Sequence, residues 1–335
     1  MKALPERHGL DPHALPDEVL NATTPVVLRG LTLSWPATQA ARRSDAELAA
    51  YLRQYWQDAT VGMLIGPPEI GGRFFYNQSL SGFNFGRDMG KLDAVLDTLL
   101  QLKRAPAEAV PALYVGATTV DTCLPGFRAA NDLNLGERDA LASLWLGNRS
   151  RIAAHFDAPD NLACVVAGRR RFTLFPPDQL ANLYVGPLDF TPAGQAISLV
   201  DFHAPDFKRF PRFAQALEHA QVAELEAGDA IFIPSMWWHH IEALAPLNLL
   251  VNYWWSQAPE HMDSPMNALM LALLTMRELP PAQREAWAGI FNHYVFTADA
   301  QTAAHIPPDA RHALAPIDAA GARQLRAHLL NRLKR

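Results

Sequence analysis

Short β-forming runs recur from about residue 112 to 256, and that density decides what the chain can fold into. ALYVGATTV, ASLWLGN, SRIAAHF, NLACVVAG, RRRFTLFPP, AISLVDF, VAELEAGDAIFIP, WWHHIEAL and NLLVNYWW are rich in branched and aromatic residues and are punctuated by Gly, Pro and Asp. Strands at this density are expected to close as a sandwich or a barrel rather than to form βαβ units. The flanks read differently. Upstream, PVVLRGL reads as a short strand and DAELAAYLRQYW as a helix, followed by a second helix, KLDAVLDTLLQLK, with Leu92, Val95, Leu96, Leu99 and Leu100 at helical spacing. Beyond 258 the chain turns helical again, with Ser264-Pro265 as N-cap and first helical position. Three regions are expected: an α/β elaboration over 1–110, a β core over 111–258 and a helical region over 259–335.

With 335 residues, 49% of them hydrophobic and 19% charged, the chain can bury a substantial core. Its net charge of -5 offers no broad basic field for nucleic acid or an anionic membrane, Arg169-Arg170-Arg171 being a local exception. Cys123 and Cys164 are the only cysteines, which excludes a disulfide framework and the cysteine-rich zinc modules. The opening MKALPERHGLDPHALPDEVL has no apolar signal-peptide core. The longest apolar run, ALMLALL, is far shorter than the roughly 20 residues that span a bilayer. A cytoplasmic protein without a membrane span is expected. ALMLALL and a last helix carrying Ala322, Leu325, Leu329 and Leu333 on one stripe present apolar surface that a second copy would cover, so a homodimer through the C-terminal helices is expected.

Two H-x-D triplets occur, His155-Phe156-Asp157 and His261-Met262-Asp263, and roughly one is expected from composition alone. The second sits at the helix start signalled by Ser264-Pro265, which accounts for it without a metal. The first ends the run SRIAAHF inside the β region, where a jelly roll would place ligands. Far downstream, GDAIFIPSMWWHHIEAL supplies His239 and His240. Two neutral imidazoles and one carboxylate on one face of an octahedral ion leave three adjacent positions open, enough for a bidentate keto acid and dioxygen. A zinc site with three protein ligands and a water uses the same residue types, so the metal stays open.

Side chains alternate faces along a strand, so in RRRFTLFPP Arg170 shares a face with Phe172 and Leu174, while Arg169, Arg171 and Thr173 share a face read as solvated. A guanidinium on an apolar face needs an acid, from a bound ligand or from the protein itself. By the same parity Asn252 lies between Leu250 and Trp254 on one face of NLLVNYWW, as a satisfied core amide or a pocket contact.

HFDAPDNLACVVAGRRRFTLFPPDQ, followed by LVDFHAPDFKRFP, GDAIFIPSMWWHHIEAL and VNYWW, resembles the cupin-like, Jumonji C type oxygenases, and in wording their asparaginyl hydroxylases. The likeness runs from about Tyr114 to Trp255, and the openings PVVLRGL and YNQSLSGFNF extend it over most of the chain. The resemblance implies a mainly β, double-stranded β-helix (jelly roll) with an N-terminal α/β elaboration and C-terminal helices. It implies an Fe(II)- and 2-oxoglutarate-dependent dioxygenase that hydroxylates a C–H bond, with 2-oxoglutarate and dioxygen as cosubstrates. His155, Asp157 and His239 match the iron ligands, with His239 rather than His240 because the family's ligand is the first His after the Trp pair. Asn161 and Asn252 match amides near iron and cosubstrate, and Tyr114 a tyrosine that hydrogen-bonds the distal carboxylate. Arg170 stands where the hydroxylases carry a lysine for that carboxylate, and Ile152 where they carry a threonine. The family suggests a protein side chain as substrate; a small molecule or nucleoside is the alternative, as are a metal-binding module without turnover and a cupin doing non-oxidative chemistry on zinc or nickel. Relatives of this fold also pair through C-terminal helices.

Overall fold

The computed structural model describes residues 2–334. They fall into two compact units, one up to Ser256 and one from Gln257 on. In the first unit two sheets form among the described residues, their strands numbered in chain order. One runs Lys2–Ala3 (β1), Gln221–Glu226 (β12), Arg169–Phe175 (β11), Trp238–Ala243 (β14), Ser150–His155 (β9) and Arg73–Phe74 (β5). The other runs Glu6–His8 (β2), Val26–Arg29 (β3), Ala230–Ile233 (β13), Asp160–Ala167 (β10), Asn248–Trp255 (β15), Leu141–Gly147 (β8), Ala112–Thr119 (β7), Thr60–Gly66 (β4) and Gly86–Lys91 (β6). From β8 onward the chain crosses between the sheets at nearly every turn, which is the winding of a jelly roll.

The period-two patterns explain the layers. Ala163, Val165, Ile231 and Leu250 of the longer sheet meet Phe172, Leu174 and Leu225 of the shorter one inside the roll. The alternate residues of the longer sheet, Leu144, Val166 and Val251, face outward under the helices Asp45–Arg53 and Leu92–Leu102, whose Leu48, Leu52, Val95 and Leu99 cover them. Fully burying side chains of this kind contributes about 1.5–3 kcal/mol each. The shorter sheet is backed by the segment after β11, where Val200 and Phe213 pack on Phe175 and Trp238.

Local signals set the register that aims the site. Gly168 joins β10 to β11 with φ +79°, and a Cβ there would lie 2.3 Å from Asn248 Oδ1 and 2.6 Å from the Leu247 carbonyl. The following residues alternate as the parity argument requires, with Arg169 exposed, Arg170 buried and Arg171 half-buried. The β9–β14 ladder is irregular. His155 opposes His239 and Ile152 opposes Ile241, so Ala153 and Ala154 of β9 lie against His240 alone of β14. That bulge puts Ile152 and His155 on the same inward face, where unbroken alternation would separate them.

Three expectations need correction. AISLVDF does not form a strand; only Ser198 makes an isolated bridge, to Val185, and the segment crosses the outside of the shorter sheet. Thr173 is buried at 6% exposure rather than solvated. The region before residue 110 also contributes β2, β3, β4 and β6 to the longer sheet, where only PVVLRGL reads as a strand. The second unit carries the helices Pro265–Thr275, Pro281–Phe291 and Ala319–Leu333. The first is capped as expected, Ser264 Oγ accepting from Met266 N–H at 3.3 Å.

Candidate metal centre and acid-binding cavity

Between the sheets lies a cavity of about 690 Å³ that reaches the surface. His155, Asp157, His239, Tyr114, Asn161, Arg170 and Asn252 all line it. The ligand-type atoms of His155, Asp157 and His239 lie within 4.8 Å of one another. His155 ends β9, Asp157 sits in the turn after it, and His239 lies on β14 directly opposite His155. The two turns that deliver them are tied together, Met236 N–H donating to the Asp157 carbonyl at 2.9 Å and Ser235 Oγ–H to the Ala158 carbonyl at 2.6 Å. Met236 takes φ +68°, a left-handed conformation that costs a branched or bulky residue most and an unbranched one less.

The imidazoles are oriented for a cation. His155 Nδ1 lies 2.9 Å from the Ala153 carbonyl and His239 Nδ1 lies 2.9 Å from the Trp237 carbonyl. A carbonyl only accepts, so both protons sit on Nδ1 and both Nε2 atoms keep their lone pairs. His239 Nε2 is 3.5 Å from Asp157 Oδ2, two acceptors face to face in a buried place. Such a pair is stable only with a cation or a proton between them, and the set of two imidazoles and one carboxylate fits a divalent ion. Burial and then the neighbouring His239 hold His155 down to about 4, so it enters neutral. Burial works against ionising Asp157, whereas a proton on His239 or His155 would favour it and bring the carboxyl to about 2. Its other oxygen, Oδ1, accepts from Gln195 Nε2 at 3.2 Å.

Arg170 sits on the same inner wall. It is 3% exposed, makes no ion pair with any described residue, and its buried Nε has no hydrogen-bond partner. Burial lowers its affinity for a proton, with Tyr114 opposing, and burial raises the Tyr114 phenol. An unpaired guanidinium in a cavity is a site for an acid. Leu174 opposes His239 across β11 and β14, so Arg170, four residues earlier on the same face, lies roughly 13 Å along the strand from the histidines. Asn252 is both of the things its position allowed: its Oδ1 accepts from Trp145 Nε1 at 2.6 Å, its Nδ2 donates to Asn161 Oδ1 at 3.0 Å, and the chain of three lines the cavity. Ile152 and Ile241 supply apolar wall beside them.

His240 points the other way. It packs against the Phe202 ring, tilted with centroids 4.5 Å apart, on the outside of the sheet, with neither ring nitrogen partnered, and burial first of all holds it down to about 3. His261 and Asp263 lie in the second unit, where Asp263 pairs with Arg326 at 3.0 Å. Gln195 is the polar neighbour that sequence reasoning misses. It lies in TPAGQAIS, a turn-rich stretch with no period to give its side chain a direction.

Residues 12–261 match the cupin-like domain family. The chain is 37% identical over 130 residues to lysine-specific demethylase JMJ31 of Arabidopsis thaliana, covering 36% of this chain and 23% of that protein. Over 157 residues it is 30% identical to HSPB1-associated protein 1 of Homo sapiens, covering 45% and 31%. With lysine-specific demethylase 8 of Xenopus tropicalis it shares 28% identity over 258 residues, covering 76% and 53%. The chain thus spans between about a quarter and about half the length of these relatives. A match over most of the chain, on a jelly roll whose two sheets enclose the two histidines and the aspartate, leads to one assignment: the chain belongs to the cupin-like domain family.

Proposed function

We propose that the chain is an Fe(II)- and 2-oxoglutarate-dependent dioxygenase that hydroxylates a C–H bond. The observation that carries this reading is Arg170, a buried guanidinium without a protein acid, in the same cavity as the His155, Asp157 and His239 set. A metal cupin needs the second feature alone; a five-carbon diacid that must be held at both ends needs both. His155 Nε2, Asp157 Oδ2 and His239 Nε2 would hold the iron, and the Nδ1–H bonds to backbone carbonyls fix the rings for it. Bound iron with 2-oxoglutarate and dioxygen supplies the oxidation of the C–H bond, at the expense of decarboxylating the keto acid to succinate. Arg170 grips the distal carboxylate through two parallel N–H donors, with the Tyr114 hydroxyl beside it. The Trp145–Asn252–Asn161 chain fixes the amides next to the cosubstrate, and Ile152, Ile241 and Phe172 keep water from the inner end. For the substrate, the names of two relatives as lysine-specific demethylases favour a protein side chain over a small molecule or nucleoside.

Anaerobic titration tests it. Chelator-treated chain given Fe(II) and 2-oxoglutarate should develop weak visible charge-transfer absorption, and air should then release succinate. His155→Ala, Asp157→Ala and His239→Ala should lose both metal and turnover, His240→Ala should keep the metal and part of the turnover, and His261→Ala should change neither. Absorption without succinate would mean a metal-binding module without turnover; preferential uptake of zinc or nickel without the band would mean non-oxidative chemistry.

A further inference from the structure

We infer that Gln195 is a positioning residue for the metal centre: its carboxamide locks the Asp157 carboxylate so that Oδ2 alone faces the two imidazoles. The two oxygens of Asp157 have different neighbours, and the Trp254 indole lies beside the same carboxylate. Oδ2 lies 3.5 Å from His239 Nε2, while Oδ1 accepts from Gln195 Nε2 at 3.2 Å. A carboxylate on a short aspartate stem can present one or both oxygens to a divalent ion, and the choice sets how many positions stay open for other ligands. A donor on Oδ1 makes the one-oxygen mode the lower in energy, because turning Oδ1 toward the metal would break that hydrogen bond in a buried site.

Gln195 can act this way because the segment that bears it is held on both sides. Before it, the Phe190 carbonyl accepts from the Tyr76 hydroxyl at 2.5 Å and the Phe190 ring stacks on Phe83 at 4.9 Å. The Pro192 carbonyl accepts from Arg87 Nη2 at 2.6 Å, and Gly194 N–H donates to Thr191 Oγ1 at 2.9 Å. After it, the Ile197 carbonyl accepts from Gly186 N–H at 2.9 Å and Ser198 N–H donates to the Ala154 carbonyl at 2.8 Å, one residue from His155. Thr191 to Gln195 therefore form a held segment of the cavity wall beside Arg87 and Met89 of β6, and its last residue touches a candidate metal ligand.

The inference rests on the oxygenase reading, and the test separates the two. Co(II) alone is titrated without oxygen into chelator-treated wild type and Gln195→Leu, which keeps bulk and removes the donor, with calorimetry and visible absorption recorded together. Removing a partner of a metal ligand costs roughly 10–100-fold in affinity, and that loss is expected in Gln195→Leu. Its Co(II) absorption should also weaken, because a second carboxylate oxygen raises the coordination number. The melting temperature of the metal-free chain should match wild type, which excludes a folding defect as the cause. Unchanged Co(II) affinity and spectrum in Gln195→Leu would overturn the positioning role while leaving the oxygenase reading intact. Failure of wild type itself to bind Co(II) would end both.

Discussion

Arg170 separates two kinds of failure at the scale of a residue. Its substitution by alanine should weaken 2-oxoglutarate binding by roughly 2 to 5 kcal/mol, as when one partner of a buried charge pair is left alone. Metal binding should survive, since no ligand atom belongs to it. Arg170→Lys should restore only part, because a point charge replaces a two-pronged donor opposite Ile152, which has no hydroxyl to help. Calorimetric titration of 2-oxoglutarate into the Mn(II)-loaded variants without oxygen checks this, and equal binding by Arg170→Ala and wild type would remove Arg170 as the anchor. Strand parity made this residue legible from sequence, since one cation in phase with Phe172 and Leu174 is visible in six letters. The histidines needed the family's wording as well: nothing in WWHH says which ring faces inward, and the structure puts His240 outside against Phe202. Gln195 was out of reach, because a side chain in a turn takes its direction from distant partners.

Elements carry the geometry through turns and irregularities. Gly168 makes the tight crossing from one sheet to the other that turns Arg170 inward, and its positive φ together with the contact to Asn248 leaves no room for a Cβ. Gly168→Ala should cost about 1–3 kcal/mol of stability from backbone strain, read as a lower urea midpoint with an unchanged slope. A midpoint equal to wild type would mean that the crossing relaxes without strain. The β runs from 112 onward were legible because alternation and turn residues agree there, and eight of the nine become strands or strand pairs. AISLVDF has the composition of a strand but meets β9 only through Ser198 N–H to the Ala154 carbonyl, beyond the residues of that edge already paired with β5. The bulge in β9 was illegible for a related reason: an extra residue shows only against the strand opposite.

At the scale of the whole molecule, the two units differ in how they hold together. The first buries its apolar residues in layers, whereas the helices Pro265–Thr275, Pro281–Phe291 and Ala319–Leu333 contain no buried residue. Leu274, Val295 and Phe296 are 75%, 60% and 75% exposed, and Leu325, Leu329 and Leu333 form a stripe open to solvent. We propose that a second copy of this chain covers these helices; light scattering at micromolar concentration should give twice the mass of one chain, and a monomer would remove the idea. No helix among the described residues is long and apolar enough to cross a membrane. The pairing of Lys2 with Gln221, and of His155 with His239, sets a timetable for the first unit. On a ribosome the earliest residues must wait for nearly the whole roll to emerge before they find their partners, and a nascent chain ending before β14 has one imidazole of the site and nothing opposite it. Such distant pairings make folding slow. The apolar inner faces of β9 to β11 stay uncovered during that wait, so this protein's demand for chaperones should fall in the interval between the synthesis of β11 and the arrival of β14.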